Sequence, residues 1–337
     1  MQLSVMGVDL AKDIIQVRGS QANGKKLFNK AIKQSAFFEF MAQKPSCLIG
    51  MEACGSAHYW ARRLETLGHT VKLMHAAHVK PFVMGHKNDK NDANGCAVAV
   101  EQADMRFVPI KTIEQQDIQM VLRIQERMER QQTALINQTR GFLREYGIYI
   151  SKGPANVFKA IPCILEDAEN ELTSEGRELI AQLGEELIHN REKLRGMDKR
   201  IAQMAKANVL CQALIQNIVG IGPMTALTLV KDIWEGDGFK NARHLSAWIG
   251  VVPRQYSSGG QTKLGGISKR GSPALRRLLF MCARSVMICA KNRDDKFSLW
   301  VQSIVERLPH RKAAIAVANK LARMAWAVLN AQKTQTA

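Results

Sequence analysis

Four acidic residues and a pair of adjacent serines are the side chains in this sequence whose types and spacing could do chemistry. Asp9 closes a short apolar run, LSVMGV at 3–8, and Glu52 closes a second, CLIGM at 47–51. Asp89 and Asp92 stand three apart in GHKNDKNDANGCAVAVEQ. The Ala/Val content of 91–102 predicts a helix, and that spacing then projects both carboxylates from one face. Each acid alone reads as a strand-end carboxylate or as the negative charge favoured in the first turn of a helix. Together, in a chain whose surplus is strongly cationic, they read as an oxygen-ligand site for Mg²⁺ or Mn²⁺. Hard divalent cations take carboxylates and bound water, and two such ions can organise attack on a phosphodiester.

The second feature is QYSSGGQTKLGGISKRG at 255–271. Ser257 and Ser258 precede Gly259-Gly260, and five cations follow by position 277: Lys263, Lys269, Arg270, Arg276 and Arg277. By Gly and Ser content it is a flexible linker. A linker needs neither the aromatic anchor Tyr256 nor a rising density of charge, so the competing reading is a nucleophilic hydroxyl on a mobile loop beside a phosphate-sized pocket of cations. His75 and His78 also lie three apart, but without further ligands they read as surface or core histidines rather than a zinc site.

Several elements must position these groups. Apolar runs at 3–8, 14–19, 47–51 and 70–74 predict strands, the first two in a hairpin or meander with a turn signal at Asn23-Gly24. Helical patterns at 35–43 and 56–67 alternate with them, which predicts an α/β layer fold with Asp9 and Glu52 at the carboxyl ends of strands, where functional residues gather. Residues 112–146 turn helical and polar. Between 180 and 204, Ile180, Leu183, Leu187, Leu194, Met197, Ile201 and Met204 recur at a/d spacing, with Asn190 the one polar member. That pattern is either a coiled coil whose Asn fixes register or an amphipathic helix on an ordinary core. IVGIGPMTALTLVKDI at 218–233 reads as helix, turn, helix, and its Gly220-x-Gly222 turn would expose backbone N–H groups suited to a nucleic-acid phosphate. A plain helical hairpin explains the same residues. Ser272-Pro273 caps a basic helix, and two more basic helices close the chain. The expected organisation is α/β plus α: 1–110, 111–207 as a helical oligomerisation segment, and 208–337.

Composition narrows the partner. The 337 residues are 46% hydrophobic, enough for real cores, and carry 48 Lys and Arg against 30 Asp and Glu, a formal charge of +18. From position 240 onward there are 18 Lys and Arg against Asp294, Asp295 and Glu306 alone. Such an excess points to a polyanion, with nucleic acid as the counterpart. Seven scattered cysteines without a C-x-x-C pair read as reduced thiols of a cytosolic protein. Asp9 interrupts any signal-peptide pattern. Charged residues break the apolar stretches 278–290 and 313–329, so no membrane span is expected.

The motifs GVDLAK, MEACGSAHYW, KNDKNDA, GIGPMTA, GVVPRQYSSGG and SKRGSPALRR, in that order, resemble the DEDD transposases of insertion sequences: the IS-one-ten family, its eleven-eleven subgroup, and the related Piv-type DNA invertases. The resemblance spans nearly the whole chain. It implies an N-terminal RuvC-like domain (RNase H fold) whose metal-binding acids correspond to Asp9, Glu52, Asp89 and Asp92, and a C-terminal transposase domain with a nucleophilic serine in Tyr-x-Ser-Gly. Here that serine is Ser258, with Ser257 in the variable place. It further implies element-end and target DNA as substrates, a noncoding bridge RNA as guide, a homo-oligomer (dimer or tetramer) assembled through a coiled coil, and a cytoplasmic, nucleoid-associated location. On this reading the serine and the metal meet across protomers. Lys263, Lys269, Arg270, Arg276 and Arg277 are the expected backbone contacts. The competing functions are a metal-dependent junction-resolving nuclease in which water attacks, and a non-catalytic nucleic-acid-binding scaffold.

Overall fold

A computed structural model describes residues 2–86, 88–234 and 238–336, excepting the side chains of 333–336. The chain divides into two units, 1–114 and 115–337.

In the first unit, β1 (Val5–Leu10), β2 (Ile14–Ser20) and β3 (Lys26–Lys33) form an antiparallel meander. α1 (Gln34–Ala42), β4 (Leu48–Glu52), α2 (Ala57–Glu65) and β5 (Thr70–Met74) follow, with β4 parallel to both β1 and β5. α3 (Ala76–Val79), α4 (Asp89–Ala99) and the two-residue β6 (Phe107–Val108) complete a sheet of order β3-β2-β1-β4-β5-β6. This is the expected α/β arrangement, compatible with a RuvC-like fold. Of the two readings, hairpin or meander, the structure takes the meander, whose third strand is β3. Its sequence KLFNKAIK exposes Lys26, Lys30 and Lys33, the composition of an edge strand protected against pairing with another chain, and one that hides it from a hydrophobic pattern.

The period-2 alternation of β1 and β4 sorts their side chains between two layers. Met6, Val8, Ile49 and Met51 pack with Phe37, Met41, Trp60 and Leu64 from α1 and α2. Val5 faces the other way, into a cluster with Met74, Val79, Cys96, Ala99 and Val100 around α4. Gly7 and Asp9 on β1 share the parity of Val5, and Gly50 and Glu52 occupy the corresponding face of β4. All four therefore look toward α4.

The second unit is helical apart from one hairpin: α5 (Ile113–Glu145), α6 (Pro154–Glu166), α7 (Ser174–Ala207), α8 (Val209–Asn217), α9 (Pro223–Ile233), α10 (Ala242–Ile249), β7 (Pro253–Ser258), β8 (Gln261–Ile267), α11 (Pro273–Cys289), α12 (Lys296–Arg307) and α13 (His310–Thr336). The predicted seam of α7 is a hydrophobic stripe, and its partners lie in the same chain. Ile180 and Leu187 cluster with Ile136 and Leu143 of α5 and with Val157 and Ile161 of α6. Asn190 Nδ2 donates to the Met128 carbonyl at 3.2 Å and to Gln132 Oε1 at 2.6 Å, both on α5. At its other end Ile201 and Ala205 join the core of α8, α9, α11 and α13. Within the segment 111–207, one end of the stripe thus has a core of its own, and the other joins the core of the region after 208. No helix among the described residues is long and apolar enough to cross a membrane.

Candidate active site: an acidic cluster and a serine hairpin

The acidic cluster forms where two strands end and a helix begins. β1 and β4 run in parallel register from Val5↔Leu48 to Val8↔Met51, and one step further sets Asp9 beside Glu52. Asn88 caps α4, its side-chain oxygen accepting from the Asn91 N–H at 2.9 Å. The helix therefore starts at Asp89, two residues earlier than the Ala/Val pattern predicts, and both aspartates fall in its first turn. The N-terminal end of the helix dipole favours negative charge there.

Carboxylate oxygens of Asp9, Asp89 and Asp92 lie within 4.8 Å of one another. Asp9 and Asp92 are half-buried and Asp89 is exposed. Glu52 stands outside that group of three but borders the same spot through Cys96. Burial, followed by the negative fields of Glu52 and Asp9, raises the Cys96 thiol far above its usual range, with Asp92 adding to it, against a lowering hydrogen bond with the Glu52 backbone. Cys96 is thus a buried, protonated thiol beneath the acids. An oxygen-only donor set of this size suits a hard divalent cation.

Sequence patterning misses the two residues that let the cluster close. A Cβ at Gly7 would stand 2.0 Å from the Ala93 carbonyl oxygen and 2.4 Å from the Ala97 nitrogen; one at Gly50 would stand 2.7 Å from the Cys96 carbonyl oxygen. α4 therefore lies directly on the bare backbone of β1 and β4, two residues before Asp9 and Glu52. The signal was present as the paired spacing Gly7-x-Asp9 and Gly50-x-Glu52, on strands buried on both faces.

The serine stretch is neither linker nor open loop. It is a β-hairpin in which Tyr256 pairs Lys263, Ser257 pairs Thr262 and Ser258 pairs Gln261. Gly259 and Gly260 have φ of +54° and +79°, the left-handed pair that a two-residue turn matching strand twist requires. That turn chemistry, rather than Gly/Ser flexibility, decides the conformation. Both strands are exposed almost throughout. Directly opposed residues share a face, so Ser258 lies with Tyr256, Gln261 and Lys263, whereas Ser257 lies with Gln255 and Thr262. The Ser257 hydroxyl accepts from Gln255 Nε2 at 2.8 Å; Ser258 at the tip makes no side-chain hydrogen bond to any described residue.

The remaining predicted contacts separate into two groups. Lys263, Lys269, Arg270 and Arg277 are exposed, and Arg277 is 3.9 Å from Glu129, an exposed pair of small energetic weight. Arg276 is half-buried and donates through Nη1 to the Ile249 and Arg270 carbonyls, each at 2.7 Å. It ties the base of the hairpin to the end of α10. Gly220 has φ of +88°, and a Cβ there would stand 2.5 Å from Val286 Cγ2, so packing against α11 accounts for its identity. Gly222 is the N-cap of α9, with open space around it. His75 caps α3 by accepting from the Ala77 N–H.

Residues 212–298 match the family described as Transposase IS116/IS110/IS902 family, and residues 6–148 match the DEDD transposase family of IS110. The chain is similar to a transposase for insertion sequence element IS1111A from Coxiella burnetii, with 40% identity over 98% of this chain and 91% of that one. It is similar to a probable family 20 transposase from Pseudomonas aeruginosa, with 40% identity over 98% of each chain. A pilin gene-inverting protein from Moraxella bovis is 32% identical over 35% of this chain and 36% of its own.

Proposed function

Because this chain belongs to the IS116/IS110/IS902 family of insertion-sequence transposases, and so is a DNA transposase, we propose that it cuts and rejoins DNA through a covalent link to Ser258, assisted by acid-bound Mg²⁺ or Mn²⁺. Ser258 Oγ attacks a backbone phosphorus, a P–O ester bond of the DNA breaks as the Oγ–P bond forms, and the departing deoxyribose oxygen takes up a proton. The hydroxyl proton of Ser258 passes to water. Attack by a deoxyribose hydroxyl reverses these changes on a new strand, so the bond energy is conserved through exchange.

The observation that carries this reading is the position of Ser258: its hydroxyl is uncommitted, at the tip of an exposed hairpin, on the face of Tyr256 and Lys263. Lys263 sets positive charge where a phosphate would lie, and Arg276 fixes the hairpin base. Asp9, Asp89 and Asp92, with Glu52 beside them, would hold the cation. When bound, it would polarise a phosphate oxygen and stabilise developing charge. The chain's cationic surplus supports two further parts of the proposal: Lys263, Lys269, Arg270 and Arg277 contact the backbone of element-end and target DNA, and a bridge RNA directs their choice. Assembly as a dimer or tetramer completes the reading.

Ser258→Ala should abolish both strand cleavage and a denaturation-resistant protein–DNA adduct while DNA binding persists, and Ser257→Ala should retain both. Adduct formation in the Ser258→Ala protein would move the nucleophile to Ser257. Cleavage without any adduct in the wild-type protein would replace covalent transfer by hydrolysis.

A further inference from the structure

A cationic cleft in the second unit lies apart from the residues assigned above. It opens between the first turn of α10 and one face of α13, with a volume of about 590 Å³. Arg243, Lys320, Arg323 and Trp326 line it, and no carboxylate is among its lining residues. Arg243, Lys320 and Arg323 form no ion pair with any described residue. Lys320 Nζ instead stands 5.9 Å over the Trp300 ring. Arg323 Nε and Trp326 Nε1 are both buried without a hydrogen-bond partner. Two such donors at one place are unusual, since a buried N–H without an acceptor carries the full cost of its desolvation. Asn241 Oδ1 accepts from the His244 N–H, and the N–H groups of Ala242 and Arg243 lie ahead of any helix carbonyl that could accept from them.

We propose that this cleft binds the phosphodiester backbone of a nucleic acid, with Arg243, Lys320 and Arg323 supplying the charge and the first N–H groups of α10 donating to backbone oxygens. Apart from the Asn241 side-chain oxygen, which is taken up by the His244 N–H, the polar groups lining it are cations or N–H donors, which suits an acceptor-only anion. Three cations, two of them one turn apart on α13, supply more charge than one phosphate needs. The setting agrees, because 18 Lys and Arg oppose three acids from position 240 onward. The proposal rests on the transposase assignment and is independent of the serine and metal chemistry.

The test uses the full chain, in wild-type and Ser258→Ala forms, with labelled duplex DNA and labelled hairpin RNA of arbitrary sequence. Arg243→Gln with Arg323→Gln should weaken binding about tenfold and lower the slope of log affinity against log salt by about 2 in both backgrounds. Arg243→Lys with Arg323→Lys should keep most of both. Loss confined to DNA assigns the cleft to DNA, and loss confined to RNA assigns it to RNA. Unchanged affinity and slope on both probes would overturn the proposal. Arg243 is exposed, so if the Arg323 variant melts early, Arg243→Gln with Lys320→Gln serves as the test. Ser258→Ala binding at this cleft like wild type, whatever its cleavage, keeps the two readings separable.

Discussion

Three carboxylates whose oxygens lie within 4.8 Å of one another repel when all are ionised, and a divalent cation among them relieves that repulsion. Binding to the folded state alone raises apparent stability by mass action. Millimolar Mg²⁺ or Mn²⁺ should therefore raise the melting temperature of the wild-type chain, and chelation should reverse it. Asp92→Asn removes one half-buried ligand and eases the repulsion together. It should flatten the metal response and lower strand cleavage by roughly 10²–10³-fold, the scale of deleting one electrostatic stabiliser of a transition state. Thermal melts with and without chelator, beside a cleavage assay, measure both effects. A full metal response in Asp92→Asn would remove that residue from the site.

At the scale of elements, the cluster depends on how closely α4 lies on the sheet. Gly7→Ala places a methyl 2.0 Å from the Ala93 carbonyl oxygen, so helix and strand must separate. Overpacking of this kind costs about 1–3 kcal/mol. Because Asp9 is two residues along the same strand and Asp92 one residue before Ala93, the separation should draw the carboxylates apart. Gly7→Ala should bind Mg²⁺ more weakly than wild type at a temperature where both are folded, as calorimetry would show. Gly24→Ala, with nothing within 4 Å of its Cβ but a strained φ of +79°, should lower stability and leave metal binding alone. These elements also mark what the sequence discloses. The apolar runs at 47–51 and 70–74, the helical stretch at 112–146 and the a/d pattern at 180–204 fall on β4, β5, α5 and α7, and the same patterning predicts Asp9 and Glu52 at strand ends and Asp89 and Asp92 on one helix face. β3 is implied only by the meander reading and its turn at Asn23-Gly24, because Leu27, Phe28 and Ile32, which pack on the core, are interspersed with Lys26, Lys30 and Lys33. The hairpin at 253–267 escapes because Gly259-Gly260 has the composition of a linker, and only cross-strand pairing shows that it is a turn. Gly7 and Gly50 escape because their shared spacing to Asp9 and Glu52 acquires its meaning only from α4, a distant segment that lies on both strands.

For the whole molecule, the proposed assembly of copies raises the matter of which surface would join them. The heptad stripe of α7 carries the expectation of a coiled coil between subunits, with Asn190 setting register. Within the chain, however, Ile180 and Leu187 are already buried against α5 and α6, and both donor contacts of Asn190 reach Met128 and Gln132 of its own α5. A residue that sets register between subunits and one that ties two helices of one subunit respond differently to truncation. Asn190→Ala leaves the Met128 carbonyl and Gln132 without their buried donor, which costs about 1–3 kcal/mol. The loss should appear as a lower denaturant midpoint for the second unit. The particle mass by light scattering should stay that of the wild type across concentration, because no intersubunit contact has been removed. A fall in mass at unchanged midpoint would instead return the stripe to the interface. If the mass holds, the proposed assembly would use surfaces other than the α7 stripe, and the outer face of α11 is one the structure leaves open, where Met281 and Ile288 are 52% and 68% exposed on either side of Arg284.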